Sequence, residues 1–176
     1  MHSSSLLRIL GVVFFASHIP ATLLVDAQAL LPASLFPEFA KKMLADFIAQ
    51  YNDPLMGGAI RAPEDHRWFL SLIATELVIQ LPFFFVALYA FVFRREWIRL
   101  PMVAYGGFVS ATMVPILSEL YFSTGCTSSQ RLALLAMYSP YLFVPALLVV
   151  WGCSGKQRLF EEHGGSLKAR QGMKLA

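Results

Sequence analysis

Four long apolar runs set the pattern of this chain. The first covers residues 6–26 and is broken by Arg8, Ser17, His18, Pro20 and Thr22 before it ends in Asp26. The second, 68–93, holds no Lys or Arg, and from Leu77 to Phe93 it carries no charge at all. The third, 98–122, has Arg99 at its start and Glu119 near its end, and the fourth covers 132–152. A helix needs about 20 apolar residues to cross the hydrocarbon of a bilayer. The runs therefore predict an all-α membrane protein, a bundle of four transmembrane helices. A secretory signal peptide is the rival for the first run, but His18 and Pro20 sit in its middle and no small-x-small cleavage site closes it. Trp68, Trp97, Trp151, Tyr121 and Phe122 fall near run ends, where aromatic rings favour the membrane interface.

One longer segment, 27–67, separates the first two runs. Within 37–51 (PEFAKKMLADFIAQY), Phe39, Met43, Leu44, Phe47, Ile48 and Tyr51 recur at helical spacing, with Lys41, Lys42 and Asp46 off that face. This predicts an amphipathic helix lying on the membrane or capping the bundle. Asn52-Asp53-Pro54 then breaks it, because proline disfavours helix at the residue before it. Residues 57–67 read as loop.

Composition sharpens the class. With 57% hydrophobic and 14% charged residues in a chain of 176, the apolar surplus exceeds what a soluble core of this size can hide. Disorder is excluded on the same numbers. Two cysteines, Cys126 and Cys153, give no disulfide framework. The net charge of +3 is unevenly spread. Nine of the 14 basic residues fall on Arg8, the 94–99 loop and the 153–176 tail, which predicts both termini in the cytoplasm and a basic cytoplasmic tail. The basic balance reports topology, and no nucleic-acid partner is predicted.

Carboxylates inside a membrane are costly and point to function. Glu76 lies about two turns into the second span, with Gln80 four residues on and on the same face; it is a ligand-site residue or a structural tie between helices. His18, Thr22 and Asp26 step by four along the first span. Asp26 reads as an interfacial carboxylate or as the rim of a cavity. His18 is open between proton donor, metal ligand and packed core residue, but no His or Cys stands at ligand spacing, so no metal is predicted. Asp53 reads as a turn former before Pro54, and Glu119 as an interfacial group. Every span holds a proline (Pro20, Pro82, Pro101 or Pro115, Pro140 and Pro145), which predicts kinked helices that bulge around a cavity. Asp26 and Glu76 with the rings of Tyr138 and Tyr141 suit an amphipathic ligand bearing a cationic head or a hydroxyl. Gln80 and Thr112 are further hydrogen-bonding candidates. No nucleophile triad, phosphate loop or cofactor motif is present, and no cofactor is predicted.

Five blocks carry a family resemblance: SHIPATLLVDAQALLP (17–32), NDPL (52–55), ELVIQLPFF (76–84), MVPILS (113–118) and YSPYLFVP (138–145). In this order they resemble the sigma-2 receptor (transmembrane protein 97) family, of the EXPERA group that includes the emopamil-binding sterol isomerases. The likeness runs over about residues 14–150. It implies an EXPERA four-helix domain over 6–152, resident in the endoplasmic reticulum membrane, with a ligand pocket inside the membrane. It implies binding of sterols and cationic amphiphiles, a role in cholesterol handling, a homodimer, and a sterol-transport protein as a possible partner. Asp26 would be the counter-ion of a ligand amine, and Glu76 a neutral carboxyl hydrogen-bonded to Asp26. Asp53 would support binding through the loop it organises. His18, Gln80, Thr112, Tyr138 and Tyr141 would line the pocket. Two alternatives stay open: a sterol Δ8–Δ7 isomerase-like enzyme, with Glu76 and Asp26 as its acid pair, and a scaffold in organelle lipid or protein traffic.

Overall fold

The structure, a computed structural model, describes residues 3–155 and 159–160. The basic residues Lys156, Arg158, Lys168, Arg170 and Lys174 of the expected tail lie outside the described residues. The described residues contain helices and turns and no strand. The elements are α1 (Ser3–Leu24), α2 (Glu38–Tyr51), α3 (Met56–Arg61), α4 (Arg67–Thr75), α5 (Leu81–Val92), α6 (Arg99–Phe122), α7 (Ser128–Tyr138) and α8 (Pro140–Gly152).

Four stretches are long and apolar enough to cross a membrane: Ser5–Ala29, Arg67–Val92, Glu96–Phe122 and Ser128–Gly152. The fourth starts earlier than its apolar run because its first turn is polar. Thr127 caps it, its hydroxyl accepting from the Gln130 N–H while the Gln130 side chain accepts from the Thr127 N–H. Large apolar side chains point outward along the spans, among them Val78, Leu100, Phe122, Leu132 and Val150. In water such a surface would drive aggregation; in a bilayer it is solvated by lipid.

The second span is one rod in three parts. Between α4 and α5 the backbone widens into a π turn over Glu76–Gln80, where the Leu81 N–H reaches the Glu76 carbonyl five residues back. Pro82 explains the position: in a regular helix its ring would strike the carbonyl four residues earlier, and a wide turn relieves that contact. Pro20, Pro115 and Pro145 lie inside continuous helices.

Between spans one and two, α2 presents Ala40 and Leu44 inward with Phe47, Ile48 and Tyr51 packed on the core. Phe39 departs from the expected face and is 62% exposed. The inward stripe runs 40, 44, 47, 51, which leaves position 39 rotated onto the outer side.

Within the bundle α6 packs along α8 and α1 along α5. Lipid tails give no hydrophobic drive between spans, so close backbone approach matters. Gly106 supplies it: a methyl group there would meet the Pro145 carbonyl oxygen and Val149 Cγ2, each at 2.7 Å. Gly152 does the same from α8, where a methyl would stand 2.3 Å from Val103 Cγ2. Gly106→Ala should therefore push α6 from α8 and destabilise the fold by about 1–3 kcal/mol. Thermal unfolding in detergent measures this, with Gly107→Ala, which meets nothing within 4 Å, as the unaffected control.

Candidate functional site

A cavity of about 470 Å³ opens between the spans. All seven ligand-site candidates of the sequence lie on its wall: His18 and Asp26 from α1 and the turn after it, Glu76 and Gln80 from the π turn, Thr112 from α6, Tyr138 from α7 and Tyr141 from α8. The rest of the wall is apolar, and among its lining residues there is no Lys or Arg. A cation entering it meets carboxylates without competition from a resident ammonium or guanidinium.

Glu76 is held from α1. Thr22 donates its hydroxyl to Glu76 Oε1 at 2.6 Å, and His18 Nε2 lies 3.3 Å from the same oxygen. Both contacts fall on Oε1, and Glu76 lines the cavity. The resemblance places Asp26 against Glu76, whereas the hydrogen bond found on Glu76 comes from Thr22, with His18 beside it. His18 and Thr22 lie on the α1 face that meets Glu76, and Asp26, beyond the helix end, lines the same cavity as Glu76. Asp26 also begins a separate 3-10 turn, Asp26–Ala29. That turn is tied to α2 by Gln28, whose amide donates to the carbonyls of Leu24 and, at 3.1 Å, Ala40.

His18 is 6% exposed. Its ring stacks on Phe84 at 4.4 Å, lies 4.6 Å from Tyr141 and meets Phe14 edge-on at 5.1 Å. These rings fix the imidazole, and through it the rotamer of Glu76. Its Nδ1 is buried without a protein partner.

Asp53 lies behind the wall rather than on it, fully buried. Its Oδ1 accepts from the N–H groups of Leu55 at 2.7 Å and Met56 at 3.0 Å, which caps the start of α3. Its Oδ2 accepts from the Tyr138 hydroxyl at 2.7 Å. Tyr138 thus offers the cavity its ring while its hydroxyl anchors the loop. Asn52, at φ 49°, sits in the left-handed region that Asn tolerates, and its amide donates to the Gly125 carbonyl at 2.7 Å. Gln130 donates to the Gln50 carbonyl at 2.9 Å, and the Cys126 thiol to that of Asn52 at 3.2 Å. Together they staple the end of α2 to the start of the fourth span. Thr112 donates its hydroxyl to its own helix, at Val109 O, 2.9 Å.

Thr22 is the site residue that the sequence candidates omit. The signal for it was the four-residue stripe it shares with His18 and Asp26. Apolar wall residues such as Val109, Met113 and Ile116 carry no signal that separates them from lipid-facing neighbours.

Comparison with known proteins agrees with this architecture. The EXPERA (expanded EBP superfamily) family model matches residues 39–152. Sigma intracellular receptor 2 of Homo sapiens is 36% identical over 162 residues, which cover 85% of this chain and 89% of that protein. Its counterpart in Xenopus tropicalis is 38% identical over 147 residues, 78% of this chain and 82% of the relative. Efficient mitochondria targeting-associated protein 19 of Saccharomyces cerevisiae is 29% identical over 155 residues, 77% of this chain and 90% of the relative. The chain belongs to the EXPERA family.

The Asp53 anchor makes a stability prediction. Burial raises the Asp53 carboxyl above its ordinary range, and the hydrogen bonds from Tyr138, Met56 and Leu55 offset part of the rise. The folded state then holds this proton more tightly than the unfolded state. Its contribution to stability falls as pH rises from about 3.8 through the raised value, and is flat beyond it. Asp53→Asn should remove that slope from stability measured against pH. Asp53→Ala strands three buried donors and should cost roughly 2–5 kcal/mol in thermal unfolding.

Proposed function

We propose that this EXPERA-family protein is an intramembrane binding protein for sterols and cationic amphiphiles that takes part in intracellular sterol handling. One observation carries the reading: the cavity joins an apolar wall to two carboxyl side chains, Asp26 and Glu76, with no Lys or Arg among its lining groups. Its volume, about 470 Å³, lies in the range of small-molecule pockets. The names of the relatives, Sigma intracellular receptor 2 in two vertebrates, point the same way.

In this reading Asp26 is the counter-ion of a ligand amine. In a cavity of low dielectric, a charge pair is worth more than in water. Glu76, its Oε1 engaged by Thr22 and approached by His18, directs Oε2 at a ligand hydroxyl or ammonium. The rings of Tyr138 and Tyr141 add cation–π attraction, with Gln80 and Thr112 as polar neighbours on the wall. Val109, Met113 and Ile116 cover the apolar body of the ligand. His18 and Asp53 act by holding Glu76 and the Tyr138 loop in place. The EXPERA domain spans residues 6–152. The positive charge at one end of the spans supports cytoplasmic termini, and the family supports residence in the endoplasmic reticulum, a homodimer and a sterol-transport protein partner.

A second reading rests on the His18–Glu76 contact of 3.3 Å. Such a pair can pass a proton to an alkene and take one back, as a sterol Δ8–Δ7 isomerase requires. Incubation of the purified protein with a Δ8-sterol decides it, since Δ7 product would replace the binding reading with the enzymatic one.

For the binding reading, Asp26→Asn should weaken a cationic amphiphile by about 1.5–3 kcal/mol, from ten- to a hundredfold or more, because a charge-assisted contact is lost. A neutral sterol should lose much less. Glu76→Gln should weaken both ligands. Radioligand or calorimetric titration of folded variants measures this, and unchanged affinity for both ligands in both variants would refute the assigned roles.

A further inference from the structure

At the end of the bundle opposite the Asp53 anchor, two residues beyond the last helix pack against it. Helix α8 ends at Gly152, and Gly155 adopts φ +65°, a left-handed conformation that glycine enters without steric cost. Leu159 and Phe160 lie against the bundle. There Glu96, in the link between the second and third spans, accepts two consecutive backbone N–H groups on one carboxylate. Leu159 donates to Oε2 at 2.8 Å and Phe160 to Oε1 at 3.1 Å.

The side chains are buried with them. Leu159 is 0% and Phe160 8% exposed, the opposite of a tail that merely trails from the last helix. Phe160 meets Phe91 edge-on at 5.7 Å and Trp151 at 5.5 Å, and Phe91 meets Trp151 at 5.9 Å. The three rings close a triangle of edge-to-face contacts, a favoured arrangement for aromatic clusters. Arg8 joins the same corner, its guanidinium 3.5 Å from the Phe91 carbonyl. A carboxylate that engages two consecutive N–H groups recognises a bent backbone, in which both N–H groups point the same way, as Leu159 and Phe160 do here, while the rings select apolar side chains. None of these residues lines the cavity.

We propose that Glu96, Phe91 and Trp151 form a peptide-binding notch, filled by the chain's own Leu159–Phe160. Its ligand class is an apolar dipeptide in a bent backbone that turns two consecutive N–H groups to one side. Seated there, the dipeptide is a latch across the ends of the second, third and fourth spans. Among the described residues, two backbone hydrogen bonds and two side chains hold the latch.

Hydrogen–deuterium exchange on the full-length protein in lipid nanodiscs tests the notch. The Leu159 and Phe160 amides should exchange slowly in the wild type. Glu96→Ala, which removes both acceptors, should speed their exchange by about tenfold or more, as local opening becomes easier. Glu96→Gln, which keeps one acceptor, should fall between. Gly155→Val leaves the contacts intact but strains the turn; an added Cβ there meets nothing within 4 Å, so faster exchange would come from the backbone alone. Exchange in residues 67–92 should stay unchanged, which shows that the bundle is folded. Fast exchange at both amides in the wild type, or no change in both Glu96→Ala and Gly155→Val, would overturn the proposal.

Discussion

A carboxyl group cannot sit inside a bilayer without partners, and the structure is organised around meeting that requirement for Glu76. The partners come from α1, through Thr22 at 2.6 Å and His18 at 3.3 Å. His18 in turn needs a rigid sleeve, which Phe14, Phe84 and Tyr141 provide from α1, α5 and α8. The wide turn that carries Glu76 exists because Pro82 follows it. A local backbone constraint, a polar stripe and an aromatic sleeve thus converge on one oxygen atom of a carboxyl that lines the cavity.

The two ends of the bundle are closed by different chemistry. At one end a polar staple of Asp53, Tyr138, Asn52 and Gln130 holds α2 and α3 against the fourth span. At the other, aromatic rings and Glu96 gather the span ends. Rings connect that end to the cavity in steps of packing distance: Phe160 to Phe91, Phe91 to Phe15 at 5.6 Å, Phe15 to Phe84 at 6.0 Å, and Phe84 to His18. The abundance of Phe in the composition, 15 residues, has this column as one of its structural uses. Aromatic packing gives rigidity where water-driven burial is absent between spans.

Much of this was legible in the sequence. Four spans followed from apolar run length alone, because the bilayer sets a minimum. Glu76, Asp26 and His18 stood out because polar groups are expensive there. What stayed illegible needed geometry. Thr22 looked like a neutral member of a stripe, and only the distance to Glu76 separates it from Ser17, whose hydroxyl returns to its own helix at Phe14. Phe39 shared the helical spacing of α2, yet a shift of one position along the stripe turned it outward. Leu159 and Phe160 form a pair too short to carry any period, and Glu96 sat in a loop whose arginines dominated the reading of charge.

The central claim is that the cavity beside Asp26 and Glu76 holds an amphiphile inside the membrane. Mass spectrometry of lipids that remain with the protein after mild extraction from sterol-containing membranes tests it most directly. A sterol retained in stoichiometric amount by the wild type, and lost when Val109 and Met113 are enlarged to fill the cavity, is the predicted result. Retention of bulk phospholipid alone, identical in the wild type and the filled variant, would contradict it.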